Sequence, residues 1–88
     1  MKSRRNKQFN KLFAQLPRSV QQQARTAYRL FKENPYNPQL HFKHVSSDES
    51  IYSVRINYSY RALGLLEGDT IVWYWIGSHE AYNKLYSR

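Results

Sequence analysis

Two arginines, Arg55 and Arg61, bracket the segment INYSY. If the chain turns at Asn57-Tyr58-Ser59, Ile56 faces Tyr60 and Val54 faces Ala62, which makes one consistent apolar face. The same register sets Arg55 directly opposite Arg61 on the other face. Like charges directly opposite on adjacent strands are destabilising. A sequence that keeps such a pair points to an anion between them, most simply a phosphate. The competing reading is that both side chains reach into water or pair with Asp48, Glu49 or Glu67.

Three histidines add acid–base capacity. His41 and His44 flank Phe42-Lys43 in a candidate strand, where alternation gives His41 and Lys43 a common face and turns His44 the other way. His79 follows Gly77, at the end of a run of sheet-forming aromatics. A histidine taken singly is more often structural than catalytic. HFKH followed by a distant His79 has no metal-site spacing, and the chain has no cysteine, so no metal is expected. Beside Arg55, Arg61 and Lys43, the histidines supply the groups needed for proton transfer at a bound phosphate. Tyr82 lies three residues after His79, on the same side of a helical turn. Most other aromatics are needed for the core. A Gly-rich phosphate loop, a serine elbow and paired carboxylates are all missing, which leaves kinase and serine-hydrolase chemistry without support.

The elements that must position these groups can be read from periodicity. Phe9, Leu12, Phe13 and Leu16 fall at i, i+3, i+4 and i+7, one helical stripe. Val20, Ala24, Ala27 and Phe31 repeat the spacing, with Leu30 widening it. Pro17 separates the two helices and can start the second, and Asn34-Pro35 ends it. After the turn-rich NPYNPQ, LHFKHV reads as a strand and SSDES as a polar turn. IYSVRINY alternates, with Tyr52, Val54, Ile56 and Tyr58 on one face and Ser53, Arg55 and Asn57 on the other. YRALGLL and TIVWYWI, joined by an EGD turn, supply two more strands. Gly77 breaks the last one, and a short helix begins after it with Ser78 as N-cap. Lys2 to Asn6 is ambiguous and can form an edge strand. The expectation is an α+β domain: two N-terminal helices on one face of a twisted antiparallel sheet of three to four strands, then a short C-terminal helix. Its parts are a basic helical hairpin at 1–34, the sheet at 39–76 and the closing helix at 78–86.

An 88-residue chain with 41% apolar and 16% aromatic residues makes one small folded domain. The longest apolar run, IVWYWI, is far too short to span a membrane. The basic N-terminus lacks the apolar segment of a secretory signal, so a cytoplasmic location is expected. Charge is lopsided: residues 1–32 hold nine of the 14 Lys and Arg and none of the six acids. Such a segment suits a polyanion, nucleic acid more than membrane, because no strongly apolar face accompanies it. A solvated helical face is the plainer reading.

Three stretches, LPRSVQQQARTAYRLFKENPYNPQLHFKHV, YSVRINYSYRALG and GDTIVWYWIGSHEAYNKL, resemble the RelE/ParE superfamily of bacterial toxins from type II toxin–antitoxin operons. The likeness runs from about Phe9 to Leu85 and is most specific in "VRI…YRALG" and "IGSHEAY". It implies two helices on a twisted antiparallel sheet. It also implies a ribosome-dependent endoribonuclease that cuts messenger RNA by 2′-hydroxyl attack on the adjacent phosphodiester. By position, Arg55 and Arg61 match the arginines that hold the scissile phosphate, and Lys43 a basic residue on the preceding strand. His79 matches a C-terminal acid or base, Tyr82 lies near a C-terminal aromatic, and His41 is a looser match to the general base. Arg4, Arg5, Lys7 and Lys11 on the basic hairpin would grip ribosomal RNA. The implied partners are an acidic antitoxin, the ribosome and messenger RNA, with no small-molecule cofactor. The ParE branch implies an alternative: the same fold inhibiting DNA gyrase without cutting RNA. A member with a binding role only is the third reading.

Overall fold

The computed structural model describes residues 1–46 and 49–86. In chain order it forms strand β1 (Lys2–Arg5), helices α1 (Lys7–Ala14) and α2 (Arg18–Glu33), a 3-10 turn at Pro38–Leu40, strands β2 (Lys43–His44), β3 (Ile51–Arg55), β4 (Tyr60–Glu67) and β5 (Thr70–Ser78), and helix α3 (His79–Tyr86). The polar turn expected at SSDES falls partly outside the described residues, at Ser47 and Asp48.

The helices follow the stripe. The buried residues of α2 are Val20, Ala24, Ala27 and Phe31, the four picked out by spacing. Asn6 caps α1 by accepting from the Phe9 N–H at 2.9 Å, and Gln21 Nε2 donates to the Phe13 carbonyl at 3.0 Å, satisfying one of α1's terminal acceptors. Pro17 sits one residue before α2, and Asn34 is extended ahead of Pro35, as the proline ring requires.

The sheet is larger than expected and is mixed. Its five strands run β1-β5-β4-β3-β2. β2 through β5 pair antiparallel, but β1 pairs with β5 in parallel, Lys2 opposite Thr70 and Arg5 opposite Trp73. An antiparallel sheet of three to four strands is therefore corrected to a mixed sheet of five. KSRR has no apolar alternation because its inward residue is Ser3. The Ser3 hydroxyl accepts from Trp73 Nε1 at 2.8 Å, and its carbonyl accepts from the Tyr28 hydroxyl at 3.2 Å.

One sheet face, with Val54, Ala62, Ile71, Trp73 and Ile76, packs against Phe9, Ala24, Ala27 and Phe31 of the helices. β4 and β5 fall out of step at Leu63/Gly64, which brings Gly64 under the Trp73 ring. A Cβ on Gly64 would lie 2.7 Å from both Ile71 Cγ1 and Trp73 Cε3. Gly64→Ala is accordingly expected to cost about 1–3 kcal/mol by overpacking, read as a lower urea midpoint at unchanged slope. Gly68 is needed for another reason: it adopts φ 63 as the first residue of the two-residue loop between β4 and β5.

Candidate phosphate-binding cleft

The hairpin register is the one derived from the turn. Val54 pairs with Ala62 and Arg55 with Arg61, and the Ile56 N–H donates to the Tyr60 carbonyl at 2.9 Å. The turn is closed by Asn57, whose Oδ1 accepts from the Ser59 and Tyr60 N–H groups at 2.7 and 2.9 Å. β3 ends at Arg55, so the expected alternation stops there. Tyr58 is consequently not on the apolar face; it stands in the turn, 91% exposed.

On the sheet face away from α1 and α2 lies a cleft of about 400 Å³, lined by His41, Lys43, Ser53, Arg55, Tyr58, Arg61 and His79. Five of the six residues suggested by the sheet and C-terminal motifs thus meet: His41, Lys43, Arg55, Arg61 and His79. Tyr82 joins through Arg61, whose guanidinium carbon sits 4.6 Å from the Tyr82 ring centroid. No ion pair joins either arginine to a carboxylate among the described residues, so neither pairs with Glu49 or Glu67; Asp48 lies outside the described residues. Each guanidinium instead covers a tyrosine, Arg55 lying 4.8 Å from the Tyr58 centroid. Ring faces offset part of the like-charge repulsion without neutralising it. No described carboxylate lines the cleft. The arrangement can hold a dianionic or monoanionic phosphate between two forked donors.

His41 arrives by a different route from the one expected. LHFKHV is not one long strand: Pro38–Leu40 forms a 3-10 turn and only Lys43–His44 pairs with β3. His41 caps that turn in the left-handed region, φ 46 and ψ 45, and this backbone bend carries it to the cleft. Arg55 Nη1 lies 3.1 Å from His41 Nε2. A guanidinium can only donate, so Nε2 is the acceptor and the ring proton sits on Nδ1. His44 is turned away from the cleft: its Nε2 donates to the Glu49 carbonyl at 2.7 Å and its ring stacks on Tyr52.

His79 is fixed by the far end of β5. Gly77 does not break that strand, which continues through Ser78. Gly77 lies opposite Arg61 and beneath the Trp75 indole, where a Cβ would come within 2.6 Å of the ring. The glycine answers a close packing contact, and the chain leaves the sheet one residue later. There the His79 N–H donates to the Ser59 carbonyl at 2.7 Å, and Ser78 Oγ accepts from the Ala81 N–H at 3.1 Å as N-cap. The His79 and Tyr82 rings lie 6.4 Å apart and nearly parallel, at 18°. Ser78→Ala is expected to lower stability by about 1 kcal/mol, with loss of far-UV helical signal confined to α3, because the His79–Ser59 bond survives.

Two lining residues escaped the sequence reading. Ser53 shares the Arg55 face by alternation and pairs with Lys43, a signal that was present. Tyr58 gave none, since its place depends on where β3 stops. Arg4 and Arg5 lie on β1 and Lys7 and Lys11 on α1, all exposed, and none of the four lines the cleft. No group of three or more His, Asp or Glu that could hold a metal occurs among the described residues, and no described helix is long and apolar enough to cross a membrane.

The fold is shared with known toxins. The chain is similar to the solved RelB–RelE antitoxin–toxin complex from Methanococcus jannaschii at 17% identity and TM-score 0.75, over 93% of this chain and 96% of that one. It is similar to YafQ from E. coli strain BL21(DE3) at 13% identity and TM-score 0.72, over 91% and 94%. It is also similar to the YoeB/ParE toxin from Agrobacterium tumefaciens at 14% identity and TM-score 0.70, over 90% and 99%. At such identities the likeness is one of fold. No curated protein matches the chain in sequence. The family model of the ParE-like toxin domain matches residues 18–84, from the start of α2 into α3, and the chain therefore belongs to the family of ParE-like toxin domains.

Proposed function

We propose that the protein is the toxin of a toxin–antitoxin pair and cuts messenger RNA on the ribosome. The carrying observation is the cleft in which Arg55, Arg61, Lys43, His41 and His79 converge. In this reading Arg55 and Arg61 bind the scissile phosphate and stabilise the charge that grows on its oxygens as the 2′-hydroxyl attacks. The 2′-O–P bond forms and the P–O5′ bond breaks, leaving a 2′,3′-cyclic phosphate and a 5′-hydroxyl. His41 Nε2 takes the 2′-hydroxyl proton once Arg55 turns from it to the phosphate. His79 gives a proton to the departing 5′-oxygen. Lys43 adds positive charge, and Tyr82 holds Arg61 through its ring face. Arg4, Arg5, Lys7 and Lys11, outside the cleft, contact ribosomal RNA. An acidic antitoxin is the expected partner, as in the RelB–RelE complex.

The ParE-like family match favours a second reading, inhibition of DNA gyrase without RNA cleavage. Induced expression followed by mapping of new RNA 5′ ends separates the two. Ends inside translated messages that vanish in His79→Ala support the nuclease. Growth arrest with intact messages and DNA breaks supports the gyrase reading and rejects cleavage.

A further inference from the structure

A second groove, of about 340 Å³, lies between α2 and the Pro38–Leu40 turn. Its character is opposite to that of the cleft. Its polar lining is Gln22, Gln23, Thr26 and Gln39, and its single described charge is Arg55, which also lines the cleft. Leu30, Leu40 and Ile56 supply apolar surface. A polynucleotide presents the same alternation, a charged phosphate beside a flat, neutral base with hydrogen-bonding edges.

We propose that this groove is a nucleobase subsite in which the Gln23 amide N–H reads an acceptor on the base held beside the Arg55-bound phosphate. The inference rests on the RNA-cleaving reading and deepens it. The orientation of the Gln23 amide is set by the hairpin turn. Asn57 Oδ1 is committed to the Ser59 and Tyr60 N–H groups, so Asn57 Nδ2 must point outward as a donor. It donates to Gln23 Oε1. With that oxygen facing Asn57, the prong of the Gln23 amide turned away from Asn57 is its Nε2 donor. Gln23 is exposed on α2, so this donor is reachable by a ligand. Where this donor meets the exocyclic position of the base, it pairs with guanine O6 or uracil O4 and is mismatched with the amino group of adenine or cytosine. Gln22 and Gln39, which have no such tether, adapt to the remaining edge.

The test is the base composition around each cut, mapped from RNA 5′ ends after induction of the full chain. Guanine or uracil is expected over adenine at one position flanking the cut by roughly three- to tenfold, the range of one neutral hydrogen bond. Gln23→Leu, on an exposed helical surface, is expected to erase that bias. Gln23→Glu, which presents an acceptor, is expected to shift it toward adenine. Cuts with no such bias in the parent, or the same bias in Gln23→Leu, overturn the subsite and leave cleavage standing. No new ends from the parent chain overturn the cleavage reading and the subsite with it.

Discussion

Arg61→Ala is expected to lower the rate of message cleavage by roughly 10²–10³-fold, the loss typical when one donor to the developing phosphate charge is removed. Arg61 stands in a cleft with no described carboxylate, opposite Arg55 and over the Tyr82 ring. Removing it relieves the like-charge repulsion on the hairpin, so stability should hold or rise slightly while activity falls. That opposition is the signature to look for. Arg61→Lys should recover part of the rate, because the charge returns without the two-pronged guanidinium. The measurement is single-turnover cleavage of a translated message on ribosomes, beside a urea unfolding curve for each variant. Equal rates for parent and Arg61→Ala would remove the phosphate clamp from the mechanism.

Phe31→Ala is expected to cost about 3–5 kcal/mol of stability. Small domains have only about 5–15 kcal/mol in total, so this variant should unfold at much lower denaturant. Phe31 is 1% exposed, and its ring meets Phe42 and Trp73 edge-on at 5.1 and 5.2 Å. Phe42 in turn stacks on Tyr52 at 4.9 Å and sits between His41 and Lys43 in the chain. The cavity therefore opens under the segment that carries two cleft residues. Cleavage should fall even at temperatures where the variant remains folded. A smaller loss, below about 1 kcal/mol, would mean that the surrounding rings close the cavity.

How far the sequence could be read follows from the range over which each feature is determined. The α2 stripe was legible because helix period and burial are set within one element: Val20, Ala24, Ala27 and Phe31 had to share a face wherever it packed. The Arg55–Arg61 pairing was legible because a slip of one residue would turn Val54 and Ala62 out of the core. Ser78 as N-cap was legible from residue type and position. All three rest on local geometry.

The rest was decided by partners distant in sequence. β1 is a strand because β5, nearly 70 residues later, offers its open edge, and nothing in KSRR announces that. His41 reaches the cleft through a left-handed backbone at the end of a 3-10 turn, not through strand alternation. Gly77 looked like a strand break and is instead the flat surface beneath Trp75. Tyr58 joins the cleft only because β3 stops at Arg55. The sequence by itself determined which residues could bind and move protons at a phosphate, since side-chain chemistry and short-range periodicity are carried by the chain. That these groups share one cleft, clear of any described carboxylate, was decided by the tertiary structure, because the sheet's strand order and the backbone's departures from regularity are settled only when the whole chain packs.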